Sequence, residues 1–430
     1  MFISLMTILG LTTFISCSDS PSIYEEDPFY KENNIKDSTL TNDSSVIDAT
    51  DIMRNATVVT SDEYVYAFGI TQLVIIGNYA YIKYDGNKNK KDGDIVEHNN
   101  ESCCSKVNLN DLSVETLKPR IASMKHSDGS DAAAGTIIRV ETQTSAPNGK
   151  ISAFALMRFH NNNPSYCYTF INPDEQVYNY VTCKLEYTDK DNYHHFTDYT
   201  LNNYRQMLVD MGYVDKYIAS TQDYCDNINI HYDSENQMYY AVVATNPVNA
   251  AVSPLVLVQS KDMSIWSPRV NLGRINGANE ITSIIRNEIL YVCYRTIKNG
   301  MRWLVYDLRN ATTLSEGRFE ECKKVLSKPD TFTFGQDVYM AVNVFPSVYG
   351  DMNKYDPLTV RQEINIYKIV DGSPVFFRKI YNPDGINYFS FCESHEGKLY
   401  MAFSEDRRHL FRRQFSNISF VNLTDLFVDN

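Results

Sequence analysis

In the stretch Ile275–Thr296, INGANEITSIIRNEILYVCYRT, a carboxylate and a guanidinium stand at the two ends of what reads as a hairpin. Glu280 precedes an apolar run, Arg286, Asn287 and Glu288 form a polar turn, and the strand-like run Ile289–Tyr294 ends on Arg295. In adjacent antiparallel strands the start of one lies beside the end of the next, so Glu280 and Arg295 belong at one edge of one sheet. A fixed cation beside a base suits an anionic ligand. The same residues also make a plain ion pair at a strand end, which is the common use of such a pair. Two further groups sit at strand ends: Arg361, which opens RQEINIYKIV, and Tyr388, in GINYFSFCESHEGKLYMAFSE. The acidic loop YDGNKNKKDGDIVEHNNE carries Asp92 and Asp94, of which Asp94 borders the next strand; read plainly, it is a solvated acidic loop. His98, His126 and His160 either line a pocket or are ordinary loop histidines.

These groups are far apart in sequence, so the elements must bring them together. A turn followed by alternating strand-formers recurs six times: GNYAYIKY (77–84), NGKISAFAL (148–156), ENQMYYAVVA (235–244), RNEILYVCYR (286–295), FGQDVYMAVN (334–343) and EGKLYMAFSE (396–405). This is the hairpin signature. The intervals run from about fifty residues to nearly ninety, which suits propeller blades with loop insertions. The expectation is an all-β, six-bladed β-propeller with a four-stranded sheet per blade, in which equivalent strand ends converge on the axis. A β-sandwich with repeated hairpins is the competing architecture. One short helix is expected over Leu201–Met211, inside an insertion.

The chain of 430 residues has 31 Tyr against 2 Trp, 43% apolar residues and a net charge of −13. Tyrosine favours strands and also lines carbohydrate sites, with a flat apolar face and a hydrogen-bonding tip. A nucleic-acid partner calls for a basic face. The nearest basic cluster, Arg407, Arg408, Arg412 and Arg413, reads as a solvated strand pair. The nine cysteines include the adjacent Cys103 and Cys104 but no CxxC pair, so neither a zinc site nor any other metal or cofactor is expected. Cys167, Cys293 and Cys392 stand inside apolar runs and read as small buried residues. The odd one is Cys17. Residues 1–16, MFISLMTILGLTTFIS, form a short apolar segment without an acid, and Ser16–Cys17 follows as in a bacterial lipoprotein signal. Residues 17–50 read as a polar tether and 51–430 as the propeller, with Cys17 as lipid attachment point. That arrangement implies a secreted protein held at a membrane, at the cell surface or in the periplasm.

The order Glu280 in NEITSII, Arg295 in YVCYRT, Arg361 in VRQEINIY and Tyr388 in INYFSFCESHEGKLYMAFSE resembles the sialidase (exo-neuraminidase) superfamily. At the level of repeats the resemblance covers most of residues 60–405, and its functional residues fall in the C-terminal half. The segment QSKDMSIWS (259–267) resembles the Asp-box hairpin of that family, or the related turn of five-bladed glycosidases, without the usual Gly and Thr. The resemblance implies a glycoside hydrolase acting on a terminal acidic sugar. In it Tyr388 is the nucleophile, Glu280 its base, Asp94 the acid/base, and Arg295 and Arg361 the carboxylate clamp. The chemistry is coherent. Planar guanidinium groups bind a carboxylate bidentately. A neutral Tyr hydroxyl avoids the repulsion that a sugar carboxylate would exert on an anionic nucleophile, and Tyr nucleophiles are the sialidase exception among glycosidases. One departure stands out. The first-blade arginine of the family has no counterpart in VYAFGITQLVII (65–76), and Arg54 is the nearest substitute in sequence. Two other functions stay open: a glycan-binding propeller without catalysis, and a polysaccharide lyase, which GKISAFALMRFHNNNPSYCYT (149–169) faintly resembles.

Overall fold

The computed structural model describes residues 46–60, 66–87, 101–117, 136–138, 140–141, 151–158, 164–171, 177–181, 184–188, 230–233, 236–244, 253–261, 267–275, 278–296, 300–322, 327–344, 361–405 and 417–428. Their strands form six sheets. In chain order the first sheet runs from Tyr66–Ile76 to Val114–Leu117, and the second from Thr136–Ile138 to Lys184–Thr188. The third ends on Ser267–Ile275 and the fourth spans Ala278–Arg286 to Thr312–Arg318. The fifth runs from Asp330–Phe334 to Ser373–Tyr381. The sixth runs from Asn387–Glu393 to Asn417–Asn422 and takes its last strand, Thr57–Val58, from the start of the chain.

Each of the six repeated sequence units contributes the strand that follows the first hairpin-forming strand of a separate sheet: Tyr79–Asn87, Ile151–Arg158, Met238–Ala244, Ile289–Thr296, Asp337–Val344 and Leu399–Glu405. The third sheet touches the fourth through Met238–Ala244 against Ala278–Arg286, the fourth, fifth and sixth touch in turn through their first strands, and the sixth touches the first. The first touches the second, and one residue separates Thr136–Ile138 of the second from Val140–Glu141 of the third. The sheets are thus the six blades of a β-propeller, with the sixth closed by Thr57–Val58 against Asn417–Asn422.

Hydrophobic residues of alternating strand positions fill the spaces between blades. Leu255, Leu257, Ile281 and Val292 lie between the third and fourth. Met340, Val342, Cys293 and Met301 lie between the fourth and fifth. Phe332, Ile364, Phe389 and Phe391 lie between the fifth and sixth, with Met53 of the helix Thr50–Arg54 joining them. Leu73, Ile82, Tyr400 and Phe420 lie between the sixth and first.

Three expectations change. Blades have four or five strands: Val140–Glu141 and Val46–Asp48 add parallel strands to the third and fifth sheets, and the second has five antiparallel strands. Val46–Asp48, inside the stretch read as tether, is a strand, because it finds an open edge at Lys379–Tyr381. Cys293 is buried as expected, but Cys392 is only half-buried. Cys167 falls in the strand Pro164–Ile171. The expected helix over 201–211, the Asp-box-like turn at 262–266, the cluster at Arg407–Arg413, and the signal segment with Cys17 lie outside the described residues.

Candidate active site

The first strand of the fourth blade carries one residue more than its partner. Asn279 pairs with Arg295 and Ile281 with Tyr294, so Glu280 is the extra residue of a β-bulge. Its φ is 47°, in the left-handed region that a residue with a Cβ adopts at a cost of about 1–2 kcal/mol. The bulge re-aims Glu280, which is fully buried, and Arg295 Nη1 donates to Glu280 Oε2 at 2.7 Å. The hairpin that the sequence suggested is present, with Asn287 and Glu288 (φ 50° and 60°) as its turn. The pair, however, is an inward ion pair of a bulge and not a surface contact. Both members are at least nine-tenths buried, so their mutual charge is little screened.

The sixth blade repeats the device. Asn387 pairs with Ser404 and the ladder resumes only at Ser390 with Ala402. Tyr388 occupies the break with φ 45° and is buried. The Arg361 guanidinium lies 5.2 Å from the Tyr388 ring centroid and donates from Nη1 to Asn387 Oδ1 at 2.9 Å. Arg361 precedes the strand Glu363–Val370 of the fifth blade, and the connection 382–386 holds it in place. Ile386 N donates to Arg361 O at 2.8 Å, Gln362 Nε2 to Pro383 O at 2.6 Å, and Asn343 Nδ2 to Ile386 O at 2.8 Å. Arg361 is among the largest fully buried side chains, so its position is set by packing as well as by hydrogen bonds.

The sequence-predicted residues therefore form two pairs, Glu280 with Arg295 and Arg361 with Tyr388. The first strand of the fifth blade, Asp330–Phe334, lies between their blades. Thr282 Oγ1 donates to Thr331 Oγ1 at 2.6 Å on one side, and Phe391 N donates to Asp330 Oδ2 at 2.6 Å on the other. Asp94, Asp92, His98, His126 and His160 lie outside the described residues. Arg54 does not join either pair: its side chain is 58% exposed and faces Asp384 at 3.8 Å. In the first blade the ladder breaks between Phe68 and Gln72, and Gly69 falls in that break. Three blades thus share an inner-strand irregularity, and the one in the first blade supplies no cation at Gly69.

Sequence reasoning missed Lys328, Asn387, Asp330 and His231. Lys328 is buried, and its Nζ donates to Thr71 O at 3.0 Å and to Phe389 O at 3.4 Å. His231 of the third blade is buried, with Nε2 3.2 Å from Ser283 Oγ of the fourth. The one available signal for Lys328 was a lysine placed directly before Pro329 at the mouth of a strand. Nothing in periodicity separates that from a surface lysine.

All-β architecture, six blades and these inner-strand bulges define a fold of the sialidase kind. Among solved structures, Trypanosoma rangeli sialidase in complex with the inhibitor DANA superposes with a TM-score of 0.56 at 11% identity, covering 88% of this chain and 60% of that one. The same enzyme in complex with sialic acid gives 0.56 and 11%, covering 86% and 58%. The chain thus spans about 60% of the length of these sialidases. A protein of unknown function from Dyadobacter fermentans DSM 18053 gives a TM-score of 0.53 at 9% identity, covering 85% of this chain and 97% of that one. At such identities the likeness is one of fold. No protein-family model matches the chain, and no curated protein matches it.

Proposed function

We propose that this chain is a sialidase-type glycoside hydrolase that removes a terminal acidic sugar, sialic acid or a similar one, from glycans. The observation that carries the reading is the pair of matched bulges. They hold a carboxylate and a phenol, Glu280 and Tyr388, in left-handed backbone, each beside a buried arginine. Strained non-glycine residues and buried charges concentrated on equivalent strand ends are a common mark of a functional site. In the reaction the Tyr388 hydroxyl attacks the anomeric carbon and passes its proton to Glu280. Asp94 protonates the departing glycosidic oxygen. Water, deprotonated by Asp94, then displaces Tyr388 from the sugar, and the phenol regains its proton from Glu280. Arg295 and Arg361 hold the sugar carboxylate. No cofactor enters the scheme.

The test is a fluorogenic and reducing-end screen on terminal sialosides and uronosides, with Tyr388→Phe beside the wild type. Turnover in the wild type should fall by roughly three orders of magnitude or more in the variant, as expected when a nucleophile is removed. A second reading is favoured by Gly69, which leaves the first blade without the family's arginine. In this reading the propeller binds glycan without hydrolysing it. Glycan binding without turnover in the wild type, retained in Tyr388→Phe, would select this second reading. For location we propose export through residues 1–16 and lipid attachment at Cys17, which puts the propeller at a membrane surface. Cys17→Ser should then move the protein from the detergent phase to the aqueous phase on partition.

A further inference from the structure

Lys328 belongs to neither pair, yet it lies in the segment that touches the bulged strand of the sixth blade along its length. Ser327 Oγ donates to Asn387 Oδ1 at 3.3 Å. Lys328 Nζ donates to Phe389 O at 3.4 Å. Asp330 Oδ2 accepts from Phe391 N at 2.6 Å. These contacts fall at Asn387, Phe389 and Phe391, on either side of Tyr388 and just beyond it. The sixth-blade ladder has no pairing between Asn387 and Ser390, so the Phe389 carbonyl is one of the groups the bulge withdraws from it. Thr71 O, the second acceptor of Lys328, lies in the corresponding break of the first blade. One ammonium therefore ties together two broken ladders from a third blade. A buried lysine is expensive to desolvate, and it is tolerated where its donors meet fixed acceptors. Leucine or methionine would fill the same volume more cheaply, but would leave two buried carbonyls with one partner fewer.

We propose that Lys328 is a positioning residue for Tyr388: it clamps the first-blade and sixth-blade bulges at the axis and so fixes the left-handed backbone from which the Tyr388 ring meets Arg361. The proposal rests on the reading of Tyr388 as the reacting group only for its catalytic consequence; the clamp itself is a statement about geometry.

The test compares wild type, Lys328→Met, Lys328→Gln and Lys328→Arg in the full chain. Two quantities are measured. One is the titration of the Tyr388 phenol, isolated as the ultraviolet difference between each protein and the same protein carrying Tyr388→Phe. The other is kcat and KM on a fluorogenic sialoside. Lys328→Met should displace the Tyr388 titration midpoint and lower kcat about a hundredfold with KM little changed, the usual consequence of misplacing a reacting group by about 1 Å. Lys328→Gln, which keeps an amide donor, should fall between, and Lys328→Arg should recover part of the loss. If Lys328→Met does not fold, the Gln and Arg variants carry the comparison. An unchanged phenol titration in the variants overturns the clamp. A fall in kcat matched by a rise in KM, with the titration unmoved, also overturns it. If the wild type turns over no glycoside, the hydrolase reading fails. The titration alone then decides the clamp, with a displaced midpoint supporting it and an unmoved one overturning it.

Discussion

The two ends of the inner strands are built by opposite rules. At the end where the first and second strands of a blade join, the chain turns in two residues: Asn287 and Glu288, both left-handed, in the fourth blade, and Gly335, left-handed at φ 58°, with Gln336 in the fifth. Ladders run unbroken into these turns, and the ties between blades are exposed. Arg286 Nη2 donates to Gly335 O at 3.0 Å and to Gln336 Oε1 at 2.7 Å, and Gly335 N donates to Glu393 Oε1 and Oε2 at 3.1 Å. At the other end the ladders break in the first, fourth and sixth blades, and Glu280, Arg295, Lys328 and Arg361 are buried. Stability alone calls for the first arrangement. A buried ion pair exchanged for well-packed apolar residues is often neutral or stabilising, so retaining one argues for a role beyond holding the fold. The regular end fixes the blades, and the irregular end spends that rigidity on placing charged groups.

The sharpest break in this comparison comes from Arg295→Met. It leaves Glu280 buried without its guanidinium and should lower the free energy of unfolding by about 3–5 kcal/mol, read from urea denaturation. The double variant Arg295→Met with Glu280→Gln removes the charge that was stranded and should regain most of the loss while abolishing any turnover. A double variant as unstable as the single one would mean that the pair is structural, and the contrast between the ends would lose its meaning. At the hairpin end the corresponding change is Gly335→Ala. An added Cβ there meets no atom within 4 Å, so only the backbone conformation resists it. The expected loss is about 1–2 kcal/mol in the same experiment, with ligand binding and turnover unaltered. Loss of binding in Gly335→Ala would show that the two ends are coupled.

Much of this contrast was legible in the sequence, and the part that was not has a physical reason. The six repeated units each mark a separate blade because strand alternation and turn residues are local signals. Glu280 and Arg295 were predicted neighbours because one hairpin register carries both. Tyr388 and Arg361 were named from an order of residues, but their contact depends on the connection 382–386 folding back onto Gln362, which no local pattern encodes. The bulges are invisible for the same reason. A single extra residue in an alternating run leaves the run alternating on either side, and neither Glu280 nor Tyr388 is a residue that advertises left-handed backbone. Arg54 illustrates the opposite error. Proximity in sequence to the first blade suggested a substitute cation, but the helix Thr50–Arg54 packs Met53 inward, and Arg54, one position on, is left largely exposed.

The smallest expected effect tests the hairpin end through Glu393, a carboxyl that burial perturbs. Burial raises the Glu393 pKa above its ordinary value, against the opposing Gly335 N–H and the Arg286 charge. The folded protein therefore holds the Glu393 proton more tightly than the unfolded chain does. Stability from this group is fully present below the unfolded value of about 4.3, and is lost as pH rises through the higher folded value. Glu393→Gln cannot titrate, yet its amide oxygen still accepts from Gly335 N. The thermal midpoint of the variant relative to the wild type should therefore climb as pH is raised through that window and level off above it. A difference that stays flat across the same range would show that Glu393 is ionised with equal ease in both states. The ties of the hairpin end would then run through the Arg286 contacts to Gly335 and Gln336, with no electrostatic cost at the sixth blade.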